Sequence, residues 1–296
     1  MNTPVDVVRT RMSNLRALLA DATRTLDAAG VPSARHDAEA LAAHLAGVPR
    51  SRLLLADAPL PADAYAALVA RRATREPLQH IVGRAAFRHL ELAVGPGVFV
   101  PRPETEVVVD AALAAIVDRP APVVVDLCAG SGAIALAIAV ERPDAVVHAV
   151  ELSDDAVQWL RRNIESCAPA VNLAVADITD PALLTELDGR VDLVVSNPPY
   201  LPTASLDELA PEVRDHDPAP ALFGGADGLA LIPAVTTAAW RLLRAGGTVV
   251  VEHGDDQGEA VPAVLRLQGF ADVTDHRDLV GRDRFATAIR PDGHRP

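Results

Sequence analysis

Asn197-Pro198-Pro199-Tyr200 follows the apolar run Val191-Asp192-Leu193-Val194-Val195 with only Ser196 between them. The run reads as a buried parallel strand, and ligands of open α/β sheets bind at strand carboxyl ends. Each proline fixes its own φ and restricts the residue before it. The Asn197 side-chain oxygen and the Pro198 carbonyl are thereby offered as two acceptors at a set spacing, with the flat ring of Tyr200 beside them. Two acceptors and a face suit a planar NH2 group conjugated to a π-system, such as a carboxamide or a nucleobase amine.

Three further sites lie at predicted strand ends. Asp126-Leu127-Cys128-Ala129-Gly130-Ser131-Gly132 turns from a strand into a helix that starts at Ala133. Small residues there let a ligand approach the backbone, and the helix start presents free N–H groups. Glu151 closes the second strand, where a carboxylate can accept from both ribose hydroxyls of a nucleoside cofactor. Asp177 closes the third and can accept from an adenine amino group or cap the turn Ile178-Thr179-Asp180. These sites alone fit NAD and S-adenosylmethionine equally.

The elements that must position them are legible. Strands are expected at Val123–Leu127, Ala145–Leu152, Val171–Ala176, Val191–Ser196, Thr248–Glu252, Ala271–Asp275 and Phe285–Arg290. Helices are expected at Ala133–Glu141, Asp154–Ser166, Leu229–Ala245 and Glu259–Gln268. Such alternation predicts an α/β fold, a doubly wound, mostly parallel seven-stranded sheet of Rossmann-like type. Asn197–Gly228 is long, rich in Pro and Gly, and sits between core elements, so it is expected to act as a substrate-binding lid. Ahead of the sheet, residues 14–75 read as helices with no catalytic constellation. Residues 76–103 interleave Ile81, Phe87, Leu90, Leu92 and Val94 with Gly83, Gly95, Pro96 and Gly97, which suggests a β-hairpin linker. Pro101-Arg102-Pro103-Glu104-Thr105-Glu106 then leads into a helix; its polar residues can border a cofactor or cap that helix.

Composition narrows the partners. The 296 residues suffice for about two domains. All 27 basic residues are arginine, which excludes Schiff-base, P-loop and lysine-dependent dehydrogenase chemistry. Net charge is −13. Residues 1–75 hold ten arginines against seven acids, whereas the remainder holds seventeen against thirty-three. A net −16 over the chemistry-bearing part argues against nucleic acid as its substrate. Cys128 and Cys167 form no disulfide framework or metal cluster, so a reducing compartment is expected. Met1–Met12 is not followed by an apolar export segment, and no apolar stretch is long enough to span a bilayer. The expectation is a cytoplasmic protein with no membrane contact and no metal.

Together, Asp126–Gly132, Glu151, Asp177 and Asn197–Tyr200 resemble the class I S-adenosylmethionine-dependent methyltransferases, and the Asn-Pro-Pro-Tyr form resembles their amino-methylating branch. Further motifs are similar to the release factor glutamine methyltransferases (PrmC, also called HemK). They are Pro101–Glu106, Asp217-Pro218, Gly224-Gly225, Asp227-Gly228-Leu229, Glu252-His253-Gly254, Gln257-Gly258, the linker residues Arg72, Glu76-Pro77, His80 and Gly83, and the tail Asp278-Leu279, Gly281 and Asp283-Arg284. The resemblance covers nearly the whole chain. Cys128 departs from it, standing where the family usually has glycine; a positive φ there would strain a cysteine.

The resemblance implies three parts: a helical substrate-recognition domain over 1–75, a hairpin linker over 76–103 and the methyltransferase domain over 104–296. It implies that S-adenosylmethionine, leaving as S-adenosylhomocysteine, is held by Thr105, Asp126, Cys128, Ala129, Gly130, Ser131, Gly132, Glu151, Leu152, Asp177, Ile178 and Asn197. It implies substrate binding by Asn197, Pro198, Pro199 and Tyr200, with Asn197, Pro198 and Tyr200 catalytic. The implied substrate is the glutamine of the Gly-Gly-Gln loop of class I peptide-chain release factors, methylated on N5. Methylation of a nucleobase amine by the same tetrapeptide is the alternative, and a non-catalytic nucleoside-binding module is a third. His253 is expected to be structural rather than a base.

Overall fold

A computed structural model describes residues 4–55 and 60–293, with side chains described from residue 14; the first part of Met1–Met12 lies outside them. The chain divides into two compact units, one of residues up to Gly83 plus Ala210–His216, the other of Arg84–Leu209 and Asp217 onward.

The smaller unit is helical: α1 (Pro4–Ala28), α2 (Ala34–Ala46), α3 (Ala62–Ala73) and α4 (Leu78–Val82). Leu19, Leu26, Leu41, Tyr65 and Val69 recur at helical spacing and close one apolar core. The Tyr65 hydroxyl finds its partner at the Ala38 carbonyl, 2.8 Å away, so the ring can be buried whole. The expected hairpin segment therefore opens on a helical turn; Pro77 suits the position before α4.

The larger unit begins with an antiparallel hairpin, β1 (Arg84–Phe87) and β2 (Leu90–Ala93). Arg88, at its tip, bonds both oxygens of Glu141 and the Asp110 carboxylate. The unit continues through α5 (Glu106–Ala115), β3 (Val123–Leu127), α6 (Ala133–Glu141), β4 (Val146–Glu151), α7 (Asp154–Cys167), β5 (Asn172–Val175) and β6 (Val191–Ser196). After the short helices α8 (Pro211–Arg214, in the smaller unit) and α9 (Ala219–Leu222) come α10 (Ile232–Leu242), β7 (Leu243–Glu252), α11 (Ala260–Gln268), β8 (Ala271–Arg277) and β9 (Asp283–Ile289).

The seven-stranded sheet has the order β5-β4-β3-β6-β7-β9-β8. β3, β4, β5, β6 and β7 are parallel, and β9 runs antiparallel to both neighbours. Val124, Val125, Val194, Val195, Val249 and Val250 are fully buried, as a sheet covered by helices on both faces requires. β7 starts earlier than expected: α10 stops at Leu242, and Leu243 already pairs with Val191 before an irregularity in the β6 register. Strand order reverses between β3 and β6, and the crevice for a ligand in such sheets opens at that switch point.

Candidate active site

Both predicted chemical loops leave the sheet at the switch point. Leu127 pairs with Ser196, so the glycine turn after β3 and the Asn-Pro-Pro-Tyr turn after β6 start side by side. The Ser196 hydroxyl donates to the Leu127 carbonyl at 2.7 Å, which ties the two strand ends together.

In the glycine turn the backbone is left-handed at Cys128 (φ 63°), Gly130 (φ 56°) and Gly132 (φ 89°). Cys128 thus carries the strain expected of a side chain in that region. Burial is the main cause, with Glu151 and Asp126 adding to it, of a thiol pushed up to about 12, so it stays protonated. Cys128→Gly is expected to raise the thermal midpoint slightly. Relief of ~1–2 kcal/mol of left-handed strain exceeds the ~0.5–1 kcal/mol entropic cost of glycine. Cys128→Val is expected to lower the midpoint, because a β-branched residue tolerates this region least. A lower midpoint for the glycine variant would refute the strain account. Gly132 is required twice over: beyond its φ, a Cβ there would lie 2.5 Å from Leu160 and 2.9 Å from Leu136.

Asp126 is buried at the end of β3. One oxygen accepts from the Ala135 amide in the first turn of α6, at 3.0 Å; the other, Oδ1, has no partner. Desolvation dominates its titration and pushes it up to about 8. Glu151 does more than the sequence suggested. Its carboxylate accepts from the amides of Gly130 (2.8 Å), Leu152 (2.9 Å) and Ser153 (2.8 Å), so it props the glycine turn from the neighbouring strand. A carboxylate has about four acceptor sites, so capacity remains. Asp177 caps its own turn, accepting from the Thr179 amide and hydroxyl through Oδ1. Those two hydrogen bonds hold its carboxyl below the usual range. Leu152 is exposed beside Glu151, and Ile178 packs at the rim of the core. Ala129 and Ser131 are buried in the turn.

An open backbone turn at Gly130, where nothing lies within 4 Å of an added Cβ, is thus flanked by carboxylates and an unpaired buried oxygen. This donor set fits a nucleoside cofactor with cationic and hydroxyl groups. Asn163 of α7 was missed by sequence reasoning. Fully buried, it donates to the carbonyls of Ala93 and Ser131 and accepts from the Ala93 amide, clamping the turn to the hairpin. Its signal was an asparagine on the apolar face of an otherwise amphipathic helix, beside Leu160 and Ile164.

Around the tetrapeptide the polar groups form a chain. Asn197 Nδ2 donates to the Thr105 hydroxyl at 3.3 Å, which leaves Asn197 Oδ1 free to accept. The Pro198 carbonyl has no hydrogen bond among the described residues. Thr105 precedes α5 without capping it, and the Glu106 carboxylate takes the Arg88 amide instead. The Tyr200 hydroxyl lies 3.5 Å from Glu252 Oε1. Burial, reinforced by Glu252, raises the Tyr200 phenol above its ordinary range.

The backbone behind the tetrapeptide is fixed by Gln257, whose amide donates to the Tyr200 carbonyl at 3.0 Å and accepts from the Gly254 amide. A Cβ on Gly228 would sit 2.1 Å from the Tyr200 oxygen, so that strand of chain can pass only as glycine. His253 is fully buried between Asp275 (2.9 Å) and the Gly254 carbonyl (2.8 Å), a structural setting as expected. The expected lid is partly built in: Leu201 and Phe223 bridge, while Ala210–His216 belongs to the helical unit.

A parallel sheet with a reversed order at β3/β6, a glycine turn, a strand-end acid and Asn-Pro-Pro-Tyr defines a methyltransferase of the seven-stranded class. Two family matches agree: the PrmC N-terminal domain over residues 17–83 and the methyltransferase small domain over 90–210. Release factor glutamine methyltransferases are similar over almost the whole chain. The Streptomyces coelicolor protein is 57% identical over 281 residues, covering 94% of this chain and 98% of that one. The Mycolicibacterium smegmatis protein is 54% identical, covering 94% and 99%. The chain belongs to the release factor glutamine methyltransferase family. Among solved structures, the hMettl16 catalytic domain in complex with MAT2A 3′UTR hairpin 6 superposes with a TM-score of 0.57 at 17% identity, covering 77% of this chain and 84% of that one, a likeness of fold alone. No helix among the described residues is long and apolar enough to cross a membrane, and no cluster there could hold a metal ion.

Proposed function

We propose that this enzyme transfers a methyl group from S-adenosylmethionine to the side-chain nitrogen of the Gly-Gly-Gln glutamine in class I peptide-chain release factors. The observation that carries the reading is the Asn197 amide, turned with its NH2 toward Thr105, and followed by Pro198, whose carbonyl has no hydrogen bond among the described residues. The cofactor supplies an electrophilic methyl on a positive sulfur. The glycine turn Cys128–Gly132, with Asp126, Glu151, Leu152, Asp177 and Ile178, would hold it.

A carboxamide nitrogen is a poor nucleophile because its lone pair is delocalised into the carbonyl. Asn197 Oδ1 and the Pro198 carbonyl would accept its two hydrogens, fix the nitrogen's direction and stabilise the positive charge that develops on those hydrogens as the N–C bond forms and the S–C bond breaks; the neutral thioether leaves, and the nitrogen gives up one of the two protons to solvent. The gain comes from positioning and preorganised dipoles. Pro199 keeps the turn rigid and Tyr200 walls in the amide plane. The helical region 1–75, with its net positive charge, recognises the release factor, and the hairpin region 76–103 joins it to the catalytic part. The acidic balance of the remainder supports a protein rather than a nucleic-acid substrate, in the cytoplasm. Purified enzyme mixed with S-adenosylmethionine and a release factor is expected to add the mass of one methyl to the Gly-Gly-Gln peptide. Methyl transfer to RNA or DNA but not to release factor would overturn the reading.

A further inference from the structure

We infer that the turn between β8 and β9, Asp278–Arg282, is a docking tip that seats an apolar patch of the folded release factor beside its Gly-Gly-Gln loop. The partner's identity rests on the substrate reading above; the tip itself rests on where the turn stands and how it is built. Its motif, Asp278-Leu279 with Gly281 and Arg284, has no part in the chemistry described so far.

The turn lies at the reacting end of the sheet. Ser196 pairs with Val251, so Asn197 stands level with Glu252, and Glu252 pairs with Phe285 of antiparallel β9. The His253 amide donates to the Arg284 carbonyl at 2.9 Å, which keeps the two chains together one residue further on. β8 and β9 separate after the pair Arg277 and Asp283. β6, β7 and β9 are consecutive in the sheet. At roughly 4.8 Å between strands, β9 is roughly 10 Å from β6, and at about 3.4 Å per residue the turn starts about 7 Å beyond the level of Asn197. Leu279 and Val280 therefore stand roughly 12 Å or more from Asn197. About three extended residues span that gap. What meets the tip is the protein surface that flanks the methylated loop, not the glycines beside the glutamine.

The shape of the turn does not depend on its two central side chains. The carboxylate of buried Asp278 accepts from the Val280 and Arg282 amides through Oδ1, both at 3.0 Å, and from Arg284 Nη2 through Oδ2 at 3.2 Å. The Asp278 amide donates to the Arg282 carbonyl at 2.8 Å, the Gly281 amide to the Asp278 carbonyl at 3.0 Å, and Gly281 takes a left-handed φ of 83°. Asp at the first position and Gly at the fourth are the residues such a turn selects. Its centre would ordinarily go to polar or small residues, yet it holds Leu279 and Val280, 93% and 75% exposed. Two branched apolar side chains are thus held in water on a fixed loop. Covering them gains apolar burial at little cost in backbone ordering. Charge does not compete, because the flanking Arg277 and Arg282 face Asp283 at 3.0 Å and Asp255 at 3.8 Å. The occupant that fits is an apolar patch on a protein, and the protein brought to this end of the sheet is the substrate.

The test uses the full chain, S-adenosylmethionine and a whole release factor, with Leu279→Ser and Val280→Ser combined. KM for the release factor, and the Kd measured with S-adenosylhomocysteine in place of the donor, should each rise about tenfold. The rate constant kcat, the cofactor Kd and the thermal midpoint should not move, because both side chains stand in solvent. The rise should be equal at low and high sodium chloride, since no charge is lost. Leu279→Met combined with Val280→Ile, which keeps the apolar surface, should bind the release factor as the wild type does. A serine double variant with unchanged KM and Kd, beside a wild type that methylates the release factor, overturns the proposal and leaves the substrate reading intact. So does a loss of self-association in sedimentation with KM unchanged, which would assign the tip to a second copy of this chain. A wild-type enzyme that neither binds nor methylates the release factor overturns both.

Discussion

Replacing Asn197 by alanine is expected to lower kcat by roughly 10²–10³-fold, or about 3–4 kcal/mol of transition-state stabilisation, the scale seen when one preorganised polar group is removed from a reacting centre. The reason lies in what remains. Pro198 still offers its carbonyl, and the turn is still held by Gln257 on the Tyr200 carbonyl and by Gly228 against the same backbone. One of two acceptors is lost, and the substrate NH2 can rotate about its remaining hydrogen bond. The methyl donor's site, built from the β3 turn, Glu151 and Asp177, is left standing, so the cofactor Kd should change little. Stability should fall by no more than about 1 kcal/mol, because the lost interaction is a single neutral hydrogen bond to Thr105. Steady-state kinetics with a release factor, together with calorimetric titration of the cofactor, separates these quantities. An Asn197→Ala enzyme that kept its kcat would remove the acceptor role and with it the main support for an amide substrate.

The parts of this site that were legible in the sequence share a physical property: each is announced within a few residues. Valine-rich runs cut off by Gly, Pro or an acid gave the strands. A strand that ends in Asp126-Leu127-Cys128-Ala129-Gly130 must turn sharply, and Cys128 was expected to be strained if its φ were positive, as it is. Asn197-Pro198-Pro199-Tyr200 is rigid by its own chemistry. What was not legible depends on residues far apart. Thr105 looked like a helix cap or a cofactor neighbour, and only the fold brings its hydroxyl to Asn197. Glu151 looked like a ribose acceptor, yet three backbone amides from its own turn and the glycine turn already converge on it. The stretch after Tyr200 read as one lid; nothing local says that Ala210–His216 packs with the helices instead. That placement is written in charges 140 residues apart, Arg72 and Glu212.

Arg72→Ala is accordingly expected to destabilise the helical unit by about 3–5 kcal/mol, the cost of stranding the buried Asp37 carboxylate rather than of losing a surface ion pair. The Arg72 side chain is 5% exposed and bonds Asp37 through Nε and Glu212 through Nη2, both at 2.7 Å. Without it, buried Asp37 keeps the Ser33 hydroxyl alone among these partners, while Glu212 keeps Arg75 at 2.7 and 2.6 Å. The pH dependence carries the sign. Burial alone would raise Glu212, but its hydrogen bonds to Arg75 and Arg72 outweigh it and hold the carboxyl at about 2. A depressed folded-state value contributes stability that is present above the unfolded value near 4.5 and is lost as pH falls through about 2. Arg72→Ala should therefore be weakest relative to wild type at neutral pH, and the gap should narrow in acid as Glu212 takes up a proton. Urea titrations at pH 7 and pH 3 read this directly, and exchange of the Val213 and Arg214 amides, which bond the Ala210 carbonyl, reports whether the inserted segment loosens first. The combined replacement Asp37→Asn with Arg72→Met should regain much of the loss, because a neutral pair needs no counter-charge. If the single variant matched wild type at pH 7, the buried ion pairs would not be what holds Ala210–His216 in the helical unit, and its apolar contacts would have to be.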